Sequence, residues 1–143
     1  MIAASIVFLK SMRVVWALFL FVLSCSATSP LELRLSDQMK TWQKRLGLGD
    51  WTLSLQVVRQ SEIDPNAWGS SRWDSRAKTA TIQVLDPRDY NLKGADLRLD
   101  MECTIVHELV HIRVSPLISP NAHVLEDVVN RIMVALLNRT CPN

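Results

Sequence analysis

The sequence lacks the features that mark a nucleic-acid-binding protein or a repeat protein. Its 143 residues hold 16 basic and 14 acidic side chains, and the basic ones form no stripe and no repeat interleaved with aromatic residues. No segment recurs at a fixed period, and none is of low complexity. These absences make nucleic acid and anionic membrane surfaces poor partners, and the chain length allows one domain.

Charged residues are also nearly missing from residues 1–27. Lys10 and Arg13 precede an uninterrupted apolar run, residues 14–23, and small residues follow at 24–27. A positive start, a short apolar run and a small-residue exit are typical of a secretory signal peptide. We therefore predict a signal peptide over residues 1–27 and an exported protein that is periplasmic, secreted or lipid-anchored at the cell envelope.

Two cleavage sites are compatible with this segment. Cleavage after Ala27 would release a domain over residues 28–143. Alternatively, residues 22–25 resemble a bacterial lipobox, although Leu23 departs from the usual smaller residue, and cleavage before Cys25 would leave a lipidated N-terminus on a membrane. Either cleavage removes both N-terminal cations and leaves 14 basic and 14 acidic residues. Membrane contact would then depend on the signal peptide or the lipid alone.

The rest of the chain begins with a helical pattern that is followed by three strand-like segments. Ser29 and Pro30 favour a helix start, and Gly47 favours a stop. Apolar residues keep helical spacing between these limits, at Leu31, Leu35, Met39, Trp42 and Leu46. Alternating apolar and polar residues predict strands over 51–57 and 78–84, with Ala80, Ile82 and Val84 facing inward, and residues 68–73 are a weaker strand candidate. The last two strands are expected to pair as an antiparallel hairpin.

Two further helices complete the predicted fold. One begins between Asp96 and Glu102 and ends before Pro116, and the other covers about 121–138. The buried side of the last helix is predicted to consist mostly of Val124, Leu125, Val128, Ile132, Ala135 and Leu136. The order α-β-β-β-α-α predicts a small α+β domain with a three-stranded, largely antiparallel sheet.

The strongest motif is H-E-x-x-H at residues 107–111, inside an apolar run. On a helix, His107 and His111 lie one turn apart on one face, so both imidazoles can bind the same metal ion. Glu108 lies about 100° round the helix from His107, where it can hold a water but is poorly placed to bind the metal. Two buried histidines without a metal would each need another partner, which favours a metal site over incidental core histidines.

A catalytic zinc site needs a third protein ligand and one open position. Glu126 is the best candidate, because it lies on the final helix fifteen residues after His111, and a short connector can fold that helix back. Asp127 falls on a different face of the helix, and His123 lies about one turn earlier. A solvated charge near a helix start is the alternative interpretation of Glu126.

The two remaining cysteines would meet oxidising conditions in an exported protein. We predict a disulfide between Cys103 and Cys141, which would join the C-terminal tail to the helix that carries the motif. The alternatives are a buried free Cys103 or a contact from Cys103 to the metal, since it lies four residues before His107.

With Glu126 on the next helix, the H-E-x-x-H motif resembles the gluzincin branch of the zincin metallopeptidases. The small size and the element order resemble the mini-gluzincins, over roughly Leu31 to Asn138. The resemblance implies a zincin-like fold in which His107, His111 and Glu126 bind Zn²⁺. It also implies that Glu108 acts as general base and acid in the hydrolysis of peptide bonds.

The expected substrate is a peptide or protein, bound by a monomer. Only 32 residues follow His111, so the substrate must bind in a shallow cleft. An edge strand, 68–73 or 78–85, is expected to pair with an extended peptide, and Trp68 and Trp73 are candidates for lining the cleft. The candidates for stabilising an oxyanion are His123, Tyr90 and Arg113.

Two other interpretations of the motif lead to different conclusions. The metzincin pattern is excluded, because Val114 stands where it has Gly and Leu117 where it has a third His. A non-catalytic domain, stabilised by zinc and used for peptide binding or sensing, is the alternative function. Glu108 argues against it, because a purely structural metal site has no need of a base beside its ligands.

Overall fold

The computed structural model describes residues 29–117 and 121–142. The predicted signal peptide, residues 1–27, and its lipidation site at Cys25 lie outside this part of the chain. Within it, no helix is both long enough and apolar enough to cross a membrane. The described residues form three helices and one three-stranded sheet in the order α-β-β-β-α-α, which confirms the predicted α+β class.

Helix α1 (Pro30–Arg45) begins where the sequence predicts. The Ser29 hydroxyl accepts a hydrogen bond from the Glu32 N–H, and the Glu32 carboxylate accepts one from the Ser29 N–H, so two free donors at the helix start are satisfied. The chain turns away at Gly47, whose φ of +67° suits a residue without a side chain. The buried side of α1 consists of Leu35, Met39 and Trp42.

Strand β3 (Thr79–Leu85) lies in the centre of the sheet, between β1 (Thr52–Val58) and β2 (Gly69–Asp74). β2 and β3 form the predicted antiparallel hairpin, and the Asp74 carboxylate closes its turn by accepting hydrogen bonds from two following N–H groups. β1 runs parallel to β3. The sheet is therefore mixed rather than largely antiparallel.

Two features agree with the central position of β3 in the sheet, namely the burial of its side chains and the length of the connection between β1 and β2. Its buried side chains are Ala80, Ile82, Val84 and Leu85, the first three as predicted. The connection over residues 59–68 is too long for a tight hairpin and carries the chain from one edge of the sheet to the other. Alternation identifies which face of a strand is buried but not which strand lies beside it.

Helix α2 (Gly94–Val114) packs against α1, the sheet and α3 (Ala122–Leu137). It begins two residues before the earliest predicted start. Its apolar second half is buried on almost every side, as the sequence predicts. The fully buried large side chains of α2 are Asp100, Met101, Ile105, Val106, Leu109, Val110 and Ile112.

The side of helix α3 that faces the core matches the predicted one only in part, since Leu125 and Ile132 pack against the core as partly buried residues. Val129, Met133 and Leu137 are buried, whereas Val124 and Val128 are 49% and 41% exposed. Apolar residues cover more than half of the circumference of α3, so their spacing alone does not select the buried side. Packing against α2 makes that selection.

The predicted disulfide joins Cys103 of α2 to Cys141 in the C-terminal tail. The bond excludes Cys103 as a free thiol and as a metal ligand in this state of the protein. Sγ of Cys141 also lies 3.9 Å from Sδ of Met133, so the tail is packed against α3 as well as tied to α2.

Candidate metal centre

Two side chains of α2 and one of α3 converge at the junction of these helices. His107 and His111 lie one turn apart, and their Nε2 atoms are 3.0 Å apart. Glu126 reaches across from α3, with Oε2 3.3 Å from Nε2 of His107 and Oε1 3.2 Å from Nε2 of His111. The three predicted ligands are thus brought together, with their ligand atoms within 4.8 Å of one another, and this group could hold a metal ion.

Both the spacing and the chemistry of this group fit a tetrahedral zinc ion. Zinc binds imidazole nitrogen and carboxylate oxygen at about 2.0–2.2 Å, which separates two tetrahedral ligands by about 3.4 Å. The two Nε2 atoms are 3.0 Å apart, and each lies 3.2 or 3.3 Å from a different oxygen of Glu126, so each of these distances is close to that value. Two imidazoles and one carboxylate are a donor set of catalytic zinc sites, which leave the fourth position open.

The orientation of His107 is fixed from α3. Asn130 lies one turn after Glu126, and its Oδ1 is 3.1 Å from Nδ1 of His107. An acceptor beside Nδ1 holds the proton on that nitrogen, which leaves the lone pair of Nε2 pointing toward the other two ligands. Helix α3 therefore supplies both one ligand and the group that orients another.

Glu108 lies beside these three ligands but is not one of them. Its side chain is buried, and Oε2 accepts a hydrogen bond of 2.6 Å from the Ser71 hydroxyl of β2. Burial raises the pKa of the Glu108 carboxyl above its usual range, while the bond from Ser71 and the proximity of His107 oppose the rise. A carboxylate with a raised pKa suits a group that takes and returns a proton.

The ligands line a cleft of about 730 Å³ between α2, α3 and β2. Both tryptophans predicted from the sequence contribute to it. Trp73 is 38% exposed, and Trp68 stacks on Tyr90 with ring centroids 5.0 Å apart. The apolar part of the lining comprises Leu125, Met133 and the disulfide of Cys103 and Cys141.

The three candidates for stabilising an oxyanion do not line this cleft. Tyr90 is buried in the core, and burial raises the pKa of its hydroxyl far above the ordinary value. His123 and Arg113 are exposed elsewhere. Asp127, the alternative third ligand, pairs with Arg131 at 2.8 Å on the outer side of α3.

Four polar residues of the cleft carry no motif in the sequence, namely Asn66, Ser71, Thr104 and Asn130. Asn130 follows Glu126 by four residues, so helical spacing alone places both on one face. Ser71 gains its position only because β2 lies against α2. A single sequence contains no signal for that packing.

Comparison of the chain with protein-family models, with curated proteins and with solved structures finds no match. The indication of function comes from the chemistry of the cleft. It combines three residues that could hold a metal ion, a buried carboxylate beside them and an edge strand whose residues line the cleft.

Proposed function

We propose that the protein is a zinc-dependent peptidase that hydrolyses internal bonds of peptide or protein substrates. The observation that carries this proposal is the position of Glu108. It is a buried carboxylate next to a complete set of metal ligands, yet it is not part of that set. A metal with a purely structural role would gain nothing from a second carboxylate there, because burying a charged group is costly even when a hydrogen bond compensates part of the cost.

His107, His111 and Glu126 would hold the metal. When bound, a zinc ion supplies Lewis-acid chemistry, since it polarises a carbonyl and makes a coordinated water more acidic. Asn130 keeps His107 in the tautomer that binds metal through Nε2.

Glu108 would handle the proton of the reaction. Its carboxylate takes a proton from the attacking water and returns it to the nitrogen of the leaving amine. Burial in the wall of the cleft raises the pKa of the Glu108 carboxyl, which favours its taking up a proton before passing it on.

The substrate would bind as an extended strand along β2. This strand lies at the edge of the sheet, so its outer backbone groups are available to pair with a peptide. Trp73 lies on the same strand and offers an exposed aromatic surface to the substrate.

An internal bond fits this cleft better than a terminal one. Among the described residues that line it, the ionisable groups besides the disulfide cysteines are His107, Glu108, His111 and Glu126. All four have roles at the centre, so no lining residue is left to pair with a terminal ammonium or carboxylate. The apolar residues that line the cleft instead favour binding of an uncharged, internal segment of the peptide substrate.

The test uses Glu108→Gln beside the wild type, with zinc content and hydrolysis both measured on peptides blocked at each end. We expect both proteins to retain one zinc ion, and kcat of the variant to fall at least about 100-fold. Glu102→Gln is the matched control, because Glu102 also lies on α2 but accepts a hydrogen bond from Trp42 outside the cleft. Full activity in Glu108→Gln would overturn the role of Glu108 as the base. Zinc binding without hydrolysis in the wild type would leave the peptide-binding or sensor function in place of the peptidase.

A further inference from the structure

The side of β2 that faces α2 is built from alternate residues. Gly69 and Ser71 point toward α2, where Ser71 donates its hydrogen bond to Glu108. Ser70, between them, points away and donates a 2.7 Å hydrogen bond to Gln83 of β3. Adjacent serines of one strand therefore have different partners on opposite faces of the sheet.

Gly69 sets the distance between β2 and α2. A Cβ atom at this position would lie 2.4 Å from Cγ2 of Thr104 and 2.7 Å from the backbone oxygen of Gln83. The Thr104 hydroxyl donates to the Asp100 carbonyl at 3.1 Å, which fixes the side-chain rotamer that turns the methyl group toward Gly69. The strand can approach this closely only because position 69 has no side chain.

Two contacts join β2 to α2, Gly69 with Thr104 and Ser71 with Glu108, and the distance between them is nearly the same along the strand and along the helix. Gly69 and Ser71 are two residues apart on a strand, about 6.7 Å. Thr104 and Glu108 are four residues apart on a helix, a rise of about 6 Å. Contact between Gly69 and Thr104 therefore places Ser71 opposite Glu108. The packing of β2 on α2 thus fixes the hydrogen bond between Ser71 and Glu108.

We propose that Ser71 is a positioning residue that holds the Glu108 carboxylate in its productive orientation. The inference rests on the proposed peptidase function. The terminal torsion of a glutamate is broad, so burial alone does not fix the carboxylate plane. The Ser71 hydroxyl engages Oε2 at 2.6 Å and restrains that plane.

Ser71 also links the base to the substrate. It lies on the edge strand along which an extended peptide would pair, so the same backbone positions both the substrate and the residue that orients the base. Proton transfer depends on alignment of the base with the water, and small misplacements lower the rate steeply.

The experiment compares Ser71→Thr with Ser71→Val in the full chain loaded with zinc. Threonine and valine have the same shape and both favour strands, so the pair differs only in the hydroxyl. We expect Ser71→Thr to keep kcat within about threefold of wild type. Ser71→Val should lose on the order of 10- to 100-fold in kcat, with KM and zinc content nearly unchanged. Ser70→Ala, on the opposite face, should resemble wild type.

A merely structural role for Ser71 predicts another outcome. Both variants would then lose stability and activity together, or KM would change rather than kcat, and either result overturns the proposal. Equal kcat in Ser71→Thr and Ser71→Val also overturns it. Glu108→Gln, assayed in parallel, separates the two hypotheses. If that variant is inactive while Ser71→Val is fully active, peptidase function stands and only the positioning role fails. If wild type is inactive, both fail.

Discussion

The side-chain oxygen of Asn130 lies 3.1 Å from Nδ1 of His107, so a residue of α3 orients one of the proposed metal ligands of α2. Asn130 is one turn away from Glu126, the proposed metal ligand on the same helix. The two halves of the centre are therefore coupled, because any shift of α3 moves both a ligand and the group that orients another ligand.

Replacement of Asn130 tests this coupling. We expect Asn130→Ala to weaken zinc affinity by about 10- to 100-fold, because His107 loses the acceptor that fixes its tautomer and ring plane. Asn130→Asp keeps an acceptor oxygen and should bind zinc at least as well as wild type. Titration with a chelator measures the zinc affinity of both variants. Arg131→Ala, on the outer side of α3, is the control. Wild-type affinity in Asn130→Ala would show that the contact does not orient the ligand.

The third ligand can be tested by metal content. We expect one zinc ion per chain in the wild type and a larger loss of affinity in Glu126→Ala than in Asn130→Ala, since a direct bond to the metal is removed. Asp127→Ala is the matched control, because Asp127 is the neighbouring acid but pairs with Arg131. Equal zinc retention in Glu126→Ala and wild type would exclude Glu126 as a ligand.

The proximity of two of the candidate ligands could be predicted from the sequence because their spacing is local. His107 and His111 are related by one helical turn, and this relation holds wherever the helix lies. Glu126 is different, because its prediction as a ligand rested on the short connector that lets α3 fold back against α2. The predicted buried stripe, centred on Val124 and Val128, would have turned Glu126 away from α2, whereas burial of Val129 and Met133 turns it inward.

The contacts that depend on packing between elements could not be predicted in this way. The pairing of β1 with β3 and the approach of β2 to α2 both join segments that are distant in the chain. Gly69 and Ser71 belong to a segment with weak strand alternation, and nothing within it identifies α2 as a neighbour. Their roles appear only in the folded protein.

The close approach of β2 to α2 gives a prediction for stability. We expect Gly69→Ala to destabilise the protein by about 1–3 kcal/mol, because a methyl group would overlap Thr104 and the backbone of Gln83. Gly49→Ala is the control, since a Cβ there meets no atom within 4 Å. Urea unfolding of both variants measures the difference. Equal stability of the two would show that β2 has room to move away from α2.

The ion pair of Arg59 and Asp89 predicts a pH dependence of stability. Side-chain hydrogen bonds from Arg59, followed by the backbone N–H of Gln60, lower the pKa of Asp89 from 3.8 to about 2. A lowered folded-state pKa gives stabilisation that is fully present above the unfolded pKa and is lost as pH falls toward the folded one. Asp89→Asn should therefore have a lower free energy of unfolding than wild type at pH 7. This difference should disappear as the pH falls from about 4 to about 2.

A matched control for the Asp89 experiment is Asp37→Asn. Asp37 also pairs with a cation, Lys40, but both side chains are largely exposed, at 78% and 65%. Exposed pairs contribute little, so this variant should follow wild type at every pH. If the difference in free energy of unfolding between Asp89→Asn and wild type is unchanged at pH 2, the ionised carboxylate of Asp89 is not its cause.

The disulfide gives the last prediction, because it closes a long loop that contains both α3 and the metal centre. Cys103 and Cys141 are 38 residues apart, and closing a loop of that length in the unfolded chain is worth about 4 kcal/mol in the entropic treatment. Reduction should therefore lower Tm by on the order of 10–20 °C. The double variant Cys103→Ala/Cys141→Ala should show the same lower Tm and no response to a reductant. A wild-type Tm that does not change after complete reduction, verified by thiol counting, would mean that packing of Cys141 on Met133 holds the tail without the covalent bond.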